Sequence, residues 1–271
     1  MNLAYVISAA PTRFAAVAQG PDVTQSIRHL AALGYQGVEL AIRDPAQVHI
    51  DELAEAARGS GVVVPAIGTG QAYLEEGLHL TAPDPAVRER AVARLEAQVP
   101  VARRFGAFLV VGLIHGPIPS TGGRARALEW LLAGLARVAR QAATAGVRIV
   151  IEPINRYESN WLNTVDEVMD LIGRLGVDNV GVLPDTFHMN IEEQDISGAL
   201  GRAGPRLWHV HVADSNRRAP GAGHLDFRAV VATLSALGYR GAVSAEILQD
   251  PSFEAAAAQT IAVMRPLLGH A

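Results

Sequence analysis

Apolar residues along the chain fall into short runs separated by longer amphipathic stretches. The runs are Leu3–Ser8 (LAYVIS), Gly37–Ile42 (GVELAI), Val62–Gly68 (VVVPAIG), Ala107–Gly112 (AFLVVG), Val147–Glu152 (VRIVIE), Asn179–Pro184 (NVGVLP), Leu207–Ala213 (LWHVHVA) and Ala242–Ile247 (AVSAEI). Runs this short and this continuously apolar fit strands buried on both faces, as in a parallel sheet. The stretches between them read as helices. Asp84–Phe105 places Ala, Arg, Glu and Val at helical spacing behind Pro85, a residue suited to a first turn. Arg124–Ala145 repeats that pattern, and Asn163–Leu175 carries Asp and Glu in its first turn. Leu33-Gly34-Tyr35 and Leu237-Gly238-Tyr239 are matching helix stops, each followed by another Gly and a strand. Strand and helix thus alternate eight times, and 271 residues over eight units is about 34 each, the size of a βα unit. The pattern predicts a single-domain (β/α)8 TIM barrel over residues 1–271. A doubly wound open sheet is the competing arrangement. The missing Gly-x-Gly-x-x-Gly after the first strand weighs against its dinucleotide-binding form.

In such a barrel chemistry belongs at the C-terminal strand ends. The fifth run ends in Glu152, and Asp185 directly follows the sixth. The seventh carries His209 and His211, and the eighth Glu246. Their separations of 33, 26 and 35 residues are each about one βα unit. Strand alternation puts His209 and His211 on one face, with Trp208, Val210 and Val212 on the other, and puts Glu152 with Val150 and Arg148. Singly, each could be a helix cap or a satisfied buried histidine. Together, three carboxylates at one rim repel unless a cation neutralises them. Two glutamates, an aspartate and a histidine suit one divalent ion such as Mn, Mg, Co or Zn. His211 is the expected imidazole ligand, with His209 supporting or packing. Loops after these strands supply candidate substrate contacts. Glu158, His188 and Arg217 come first, then Gln71, Tyr73, His115, Trp161 and His224.

Composition narrows the chemistry. All 23 Lys-plus-Arg positions are arginine, and there is no cysteine. That excludes a lysine Schiff base, a P-loop lysine, a thiolate nucleophile, a disulfide and Cys-ligated zinc or iron–sulfur centres. The net charge of −4 argues against a nucleic-acid or acidic-membrane partner. The opening MNLAYVISAAPTRF lacks the basic segment of a signal peptide, and no uncharged apolar stretch reaches membrane-span length. With zero cysteine, the expectation is a cytoplasmic enzyme.

The stretches IEPINRYE, LPDTFHMNIEE, HVHVADSNR and SAEI resemble the sugar isomerase/epimerase barrels related to xylose isomerase and endonuclease IV. Within them the chain looks like the D-tagatose 3-epimerase and L-ribulose 3-epimerase branch, along its whole length and most densely in its second half. The resemblance implies one divalent metal, usually manganese, on Glu152, Asp185, His211 and Glu246. It implies substrate contacts from Glu158, His188 and Arg217, a keto-sugar substrate, and a homodimer or homotetramer. AIRDP at 41–45 and AIGTGQAYLEEGLHLT at 66–81 are similar to the 5-keto-L-gluconate epimerases, which interconvert that keto acid and D-tagaturonate.

The implied chemistry inverts the carbon next to a ketone. The metal polarises the ketone and its neighbouring hydroxyl toward a cis-enediolate. Glu152 and Glu246 remove and return the proton on opposite faces. A keto-acid substrate needs a cationic partner, which without lysine must be Arg or His; Arg217 is the first candidate and Arg43 the second. The alternatives are a neutral ketose 3-epimerase or an aldose–ketose isomerase on the same site. More remote are an endonuclease IV-like nuclease and a catalytically silent sugar-binding barrel.

Overall fold

The computed structural model describes residues 1–20 and 22–269. Its eight strands are β1 (Asn2–Ser8), β2 (Gly37–Ala41), β3 (Ala66–Gly68), β4 (Phe108–Val111), β5 (Ile149–Ile151), β6 (Val180–Val182), β7 (Val210–Val212) and β8 (Ala242–Ala245). All neighbouring pairs are parallel, in the order β6-β5-β4-β3-β2-β1-β8-β7. Two isolated parallel bridges, Val182 to Leu207 and Asp185 to His211, join β6 to β7 and close the ring. The expected (β/α)8 TIM barrel is therefore the observed fold.

The helices are α1 (Val23–Leu33), α2 (Ile50–Ser60), α3 (Gln71–Glu76), α4 (Pro85–Phe105), α5 (Gly123–Thr144), α6 (Val165–Leu175), α7 (Thr186–Glu192), α8 (Ile196–Ala203), α9 (Phe227–Ala236) and α10 (Phe253–Leu268). Eight are the crossovers the pattern predicts. Asp84 caps α4 by accepting from Ala86 N–H, with Pro85 in the first turn. Gly34 and Gly238 take the left-handed conformation at +96° and +70°, as their matching motifs require. The two short helices, α3 and α7, directly follow β3 and β6, so they lie at the C-terminal face and lift Gln71 and His188 over the barrel mouth.

Strand alternation sorts the barrel into two faces. Leu40, Leu109, Ile151, Val182, Val212 and Ala245 join the large core under the helices. The other face splits in two: Ala66, Val110, Val150 and Leu183 pack together, while Glu39, His209, His211, Ser244 and Glu246 form a buried polar half. Regular pairing is shorter than the apolar runs. In Val62–Gly68 it covers only Ala66–Gly68, because Pro65 has no N–H to donate. Trp208 is a correction to the face assignment. The regular ladder of β7 starts at Val210, and before it only an isolated bridge at Leu207 ties the segment to β6, so alternation does not govern Trp208. Its ring stacks on Phe108, 6.2 Å between centroids, under the Arg148 guanidinium, as a plug beside the apolar half of the interior.

Candidate metal centre and active site

Glu152, Asp185, His211 and Glu246 converge from four consecutive units. Each offers a ligand atom within 4.8 Å of the others, and all four residues are buried. Glu152 and Glu246 sit one residue past β5 and β8, His211 lies within β7, and Asp185 opens α7. Asp185 serves two purposes. Its Oδ1 caps α7 by accepting from Phe187 N–H at 2.8 Å, leaving Oδ2 without a partner. His211 Nδ1 and Glu152 Oε1 lie 3.3 Å apart, yet neither has a hydrogen-bond partner. Gly112 makes room for Glu152: a Cβ there would lie 2.7 Å from Glu152 Oε2.

The electrostatics point the same way. Burial, and then the neighbouring Glu152, push the carboxyls of Asp185 and Glu246 up from their ordinary range. Buried polar atoms are normally paired. Three unpaired ligand atoms converging among carboxylates that repel one another fit a divalent cation with oxygen and imidazole ligands.

A pocket opens above this cluster, lined among others by Phe14, Gln71, Leu113, Glu158, His188 and Arg217. Arg217 donates to Glu158 Oε1 at 2.8 Å and approaches Glu246 Oε2 at 3.3 Å. Its guanidinium also packs over Phe14 and Phe187. Burial opposes its charge, but Glu246, Glu158 and Asp185 outweigh that and hold it protonated. Its backbone takes φ +60°, a strained conformation for a side-chain-bearing residue. The surrounding loop holds that turn: Arg217 N–H donates to Asp214 C=O, and the Asp214 carboxylate accepts from the N–H groups of Ser215, Gly221 and Leu225.

Burial first, and then Arg217, hold the His188 pKa well below the usual histidine value, so the ring is neutral. Its Nδ1 lies 2.7 Å from Asn155 Nδ2, a donor. The ring proton therefore sits on Nε2, which has no partner. Gln71 donates to Ser8 Oγ at 2.7 Å and leaves its Oε1 unpaired beside the cavity.

Other candidates lie elsewhere. His115 is buried next to Trp161, with Nδ1 2.8 Å from Gly116 O, and does not line the cavity. Trp161 donates to the same carbonyl at 2.6 Å. Tyr73 packs edge-on against His79. His224 is exposed and outside the cavity, because its Gly-rich loop folds back onto Asp214. Arg43 turns to Gln47 and Glu76.

Three contributors were not read from the sequence. Glu39 lies between His209 and His211. It is the lone charge in GVELAI, a buried-strand run, but it sits at mid-strand, so a rule confined to strand ends passes over it. Asn155 orients His188 from the loop after β5. Phe14, in the loop after β1, carries no sequence signal.

The sequence profile of the Xylose isomerase-like TIM barrel family matches residues 27–267. The chain belongs to that family. It is 32% identical over 252 residues to L-ribulose 3-epimerase of Mesorhizobium japonicum, covering 91% of this chain and 82% of the relative. It is 31% identical over 232 residues to D-psicose 3-epimerase of Ruminiclostridium cellulolyticum, covering 83% and 78%. A shorter match, 40% over 102 residues and 38% of this chain, is to 3-dehydro-D-guloside 4-epimerase of Escherichia coli K12. Among solved structures, D-psicose 3-epimerase with D-tagatose from Clostridium cellulolyticum H10 superposes with a TM-score of 0.81 at 26% identity, covering 99% of both chains. Among the described residues no helix is long and apolar enough to cross a membrane.

Proposed function

We propose that this chain is a divalent-metal-dependent epimerase of neutral ketoses that inverts the carbon next to the ketone. The observation that carries the reading is the convergence of Glu152 Oε1, Asp185 Oδ2 and His211 Nδ1, all buried and unpaired, beside the pocket at the barrel mouth. Relatives aligned over most of the chain, named L-ribulose and D-psicose 3-epimerases, support the substrate class.

A cation held by Glu152, Asp185, His211 and Glu246, with manganese the first choice, would supply Lewis acidity to the ketone oxygen and acidify the adjacent C–H. Glu152 and Glu246 reach the cavity from β5 and β8 and are the pair that take the proton from one face and deliver it to the other. Arg217 holds Glu246 and Glu158 in place through its paired N–H groups. The Nε2–H of His188 donates to a substrate oxygen. The apolar walls, Phe14 and Leu113, exclude water from the reacting carbon.

The expected preference for a 5-keto-L-gluconate type of substrate gives way to a neutral sugar. Arg217 is the guanidinium among the described residues lining the cavity, and two carboxylates already balance it. A substrate carboxylate there would meet Glu158 and Glu246 along with the arginine. Arg43, the second candidate, is engaged elsewhere. A 3-keto-glycoside is a second reading, favoured by the locally stronger match to the guloside 4-epimerase.

The test is a Mn2+-supplemented panel of L-ribulose, D-fructose, D-tagatose, 5-keto-L-gluconate, D-tagaturonate and a 3-keto-glucoside, run in D2O. Turnover of neutral ketoses with deuterium entering the carbon beside the ketone supports the proposal. A wide preference for the uronates, or no exchange into any ketose, rejects it.

A further inference from the structure

Beneath the four converging side chains lies a contact layer that none of the reactions above uses directly. Glu39, 1% exposed, projects from β2 between the two histidines of the seventh strand segment. His211 Nε2 lies 3.1 Å from both Glu39 oxygens. His209 Nε2 lies 2.8 Å from Glu39 Oε2 and 3.0 Å from Ser244 Oγ. Three nitrogen–oxygen contacts to one buried carboxyl are more than a protonated carboxyl, with a single O–H, could satisfy by donating, so the arrangement is that of a carboxylate accepting.

An ionised carboxylate only accepts hydrogen bonds. Both Nε2 atoms must therefore carry protons. For His211 this has one consequence: in the neutral form that can ligate a metal, the lone pair is on Nδ1, the atom facing Glu152. The opposite tautomer would set an Nε2 lone pair against the Glu39 oxygens. It would also point an N–H into the space where the ligand atoms converge.

We propose that Glu39 is a positioning residue for the metal centre, locking His211 in the Nε2–H tautomer and raising the donor strength of Nδ1. A carboxylate behind a ligating histidine orients the ring and increases its basicity, and its loss costs about 10–100-fold in metal affinity. His209, itself met by Ser244 Oγ, completes the support at Glu39 Oε2. The proposal rests on the metal-dependent reading of the site. A second cation within Glu39, His209 and His211, whose ligand atoms also lie close together, is the competing use of this cluster. The contacts of 2.8–3.1 Å are hydrogen-bond lengths, and the metal stoichiometry separates the two uses.

The experiment uses the full chain and the variants Glu39→Gln and Glu39→Asp. Mn2+ affinity and stoichiometry are measured by calorimetry, melting temperature by scanning fluorimetry, and the histidine tautomers by 15N NMR of the metal-free protein at alkaline pH, where the rings are neutral. The expected result is one Mn2+ per wild-type chain. Glu39→Gln should weaken binding about 10–100-fold and move part of the His211 population to the Nδ1–H form. Glu39→Asp, with the charge kept on a shorter arm, should fall between. Excess Mn2+ should restore part of the lost turnover in both. Unchanged Mn2+ affinity with only a lower melting temperature overturns the proposal, since the carboxylate would then merely fill a buried space. Two Mn2+ per wild-type chain, one of them lost in Glu39→Gln, also overturns it. A wild-type chain that binds no divalent metal overturns this proposal and the metal-dependent function together, whereas metal binding without ketose turnover rejects only the latter.

Discussion

Asn155 Nδ2 lies 2.7 Å from His188 Nδ1. This contact between the loop after β5 and the first turns of α7 determines which histidine nitrogen can donate into the cavity. In Asn155→Ala the ring loses the shorter of its two Nδ1 contacts, the Asn155 backbone N–H at 3.4 Å remaining, and a neutral hydrogen bond is worth about 1 kcal/mol. We expect kcat/KM to fall roughly 5- to 10-fold, mostly through KM, with little change in Mn2+ affinity. Steady-state kinetics at saturating Mn2+ decide it. A change confined to metal affinity would place Asn155 in the metal centre instead.

Glu246 is assigned both to the cation and to the proton transfer. Glu246→Gln keeps the size but removes the basic oxygen. We expect loss of solvent-deuterium exchange by more than about 1,000-fold, within the range that general acid–base and metal contributions reach together. Mn2+ binding should weaken as well. Retained exchange at saturating Mn2+ would remove Glu246 from the proton-transfer pair.

Gly112 stands against the Glu152 carboxylate, where a Cβ would come within 2.7 Å of Oε2. Gly112→Ala must displace Glu152. We expect about 1–3 kcal/mol of lost stability from overpacking, and a loss of Mn2+ affinity larger than any loss of α-helical circular dichroism. An alanine variant with normal Mn2+ affinity would show that the site absorbs the methyl group.

The buried carboxyls make the metal-stripped protein sensitive to pH. Asp185 and Glu246 are raised by burial and by Glu152. The folded chain then keeps protons that the unfolded chain releases near pH 4. Stability contributed in this way is complete below about pH 4 and is lost as the pH rises through neutrality. Burial opposes the charge on His211, but Glu39 and Glu152 raise its pKa overall, which acts in the same direction above about pH 6.5. Glu39, held low, loses its contribution only on the acid side. With chelator present, the melting temperature should drop between pH 5 and 8. With Mn2+ it should stay level or rise, and binding should release protons. Scanning fluorimetry and calorimetry in two buffers measure both effects; a chelated protein with a flat profile would contradict the burial of these carboxyls.

Much of the barrel is legible in the residue pattern because its signals are local. Eight apolar runs, Asp84-Pro85 before α4, and the left-handed glycines Gly34 and Gly238 each act through neighbours in the chain. The four converging residues were legible for a related reason. Strand direction and strand order are both set by the βα repeat, so a polar residue at a strand end has a known destination. Local rules fail where pairing is incomplete. Trp208 precedes the regular ladder of β7 and turns to Phe108 instead of following its neighbours. His224 lies in a loop whose path is decided by the Asp214 carboxylate gathering three backbone N–H groups.

The amino-acid sequence by itself determined the parallel barrel, the rim that holds its polar side chains, and an inventory without lysine or cysteine. That inventory leaves carboxylates, imidazoles and arginines to handle a ketone. Only the tertiary structure decided which partners these groups keep. Glu39 and His211 are 172 residues apart in the chain and share hydrogen bonds, and Glu158 and Arg217, 59 apart, form an ion pair. Such pairings depend on loop paths and side-chain rotamers, which close contacts across the barrel select and no sequence period encodes. For that reason the four converging residues could be read along the chain, while the contacts His211 keeps with Glu39 and the charge already balanced around Arg217 could not.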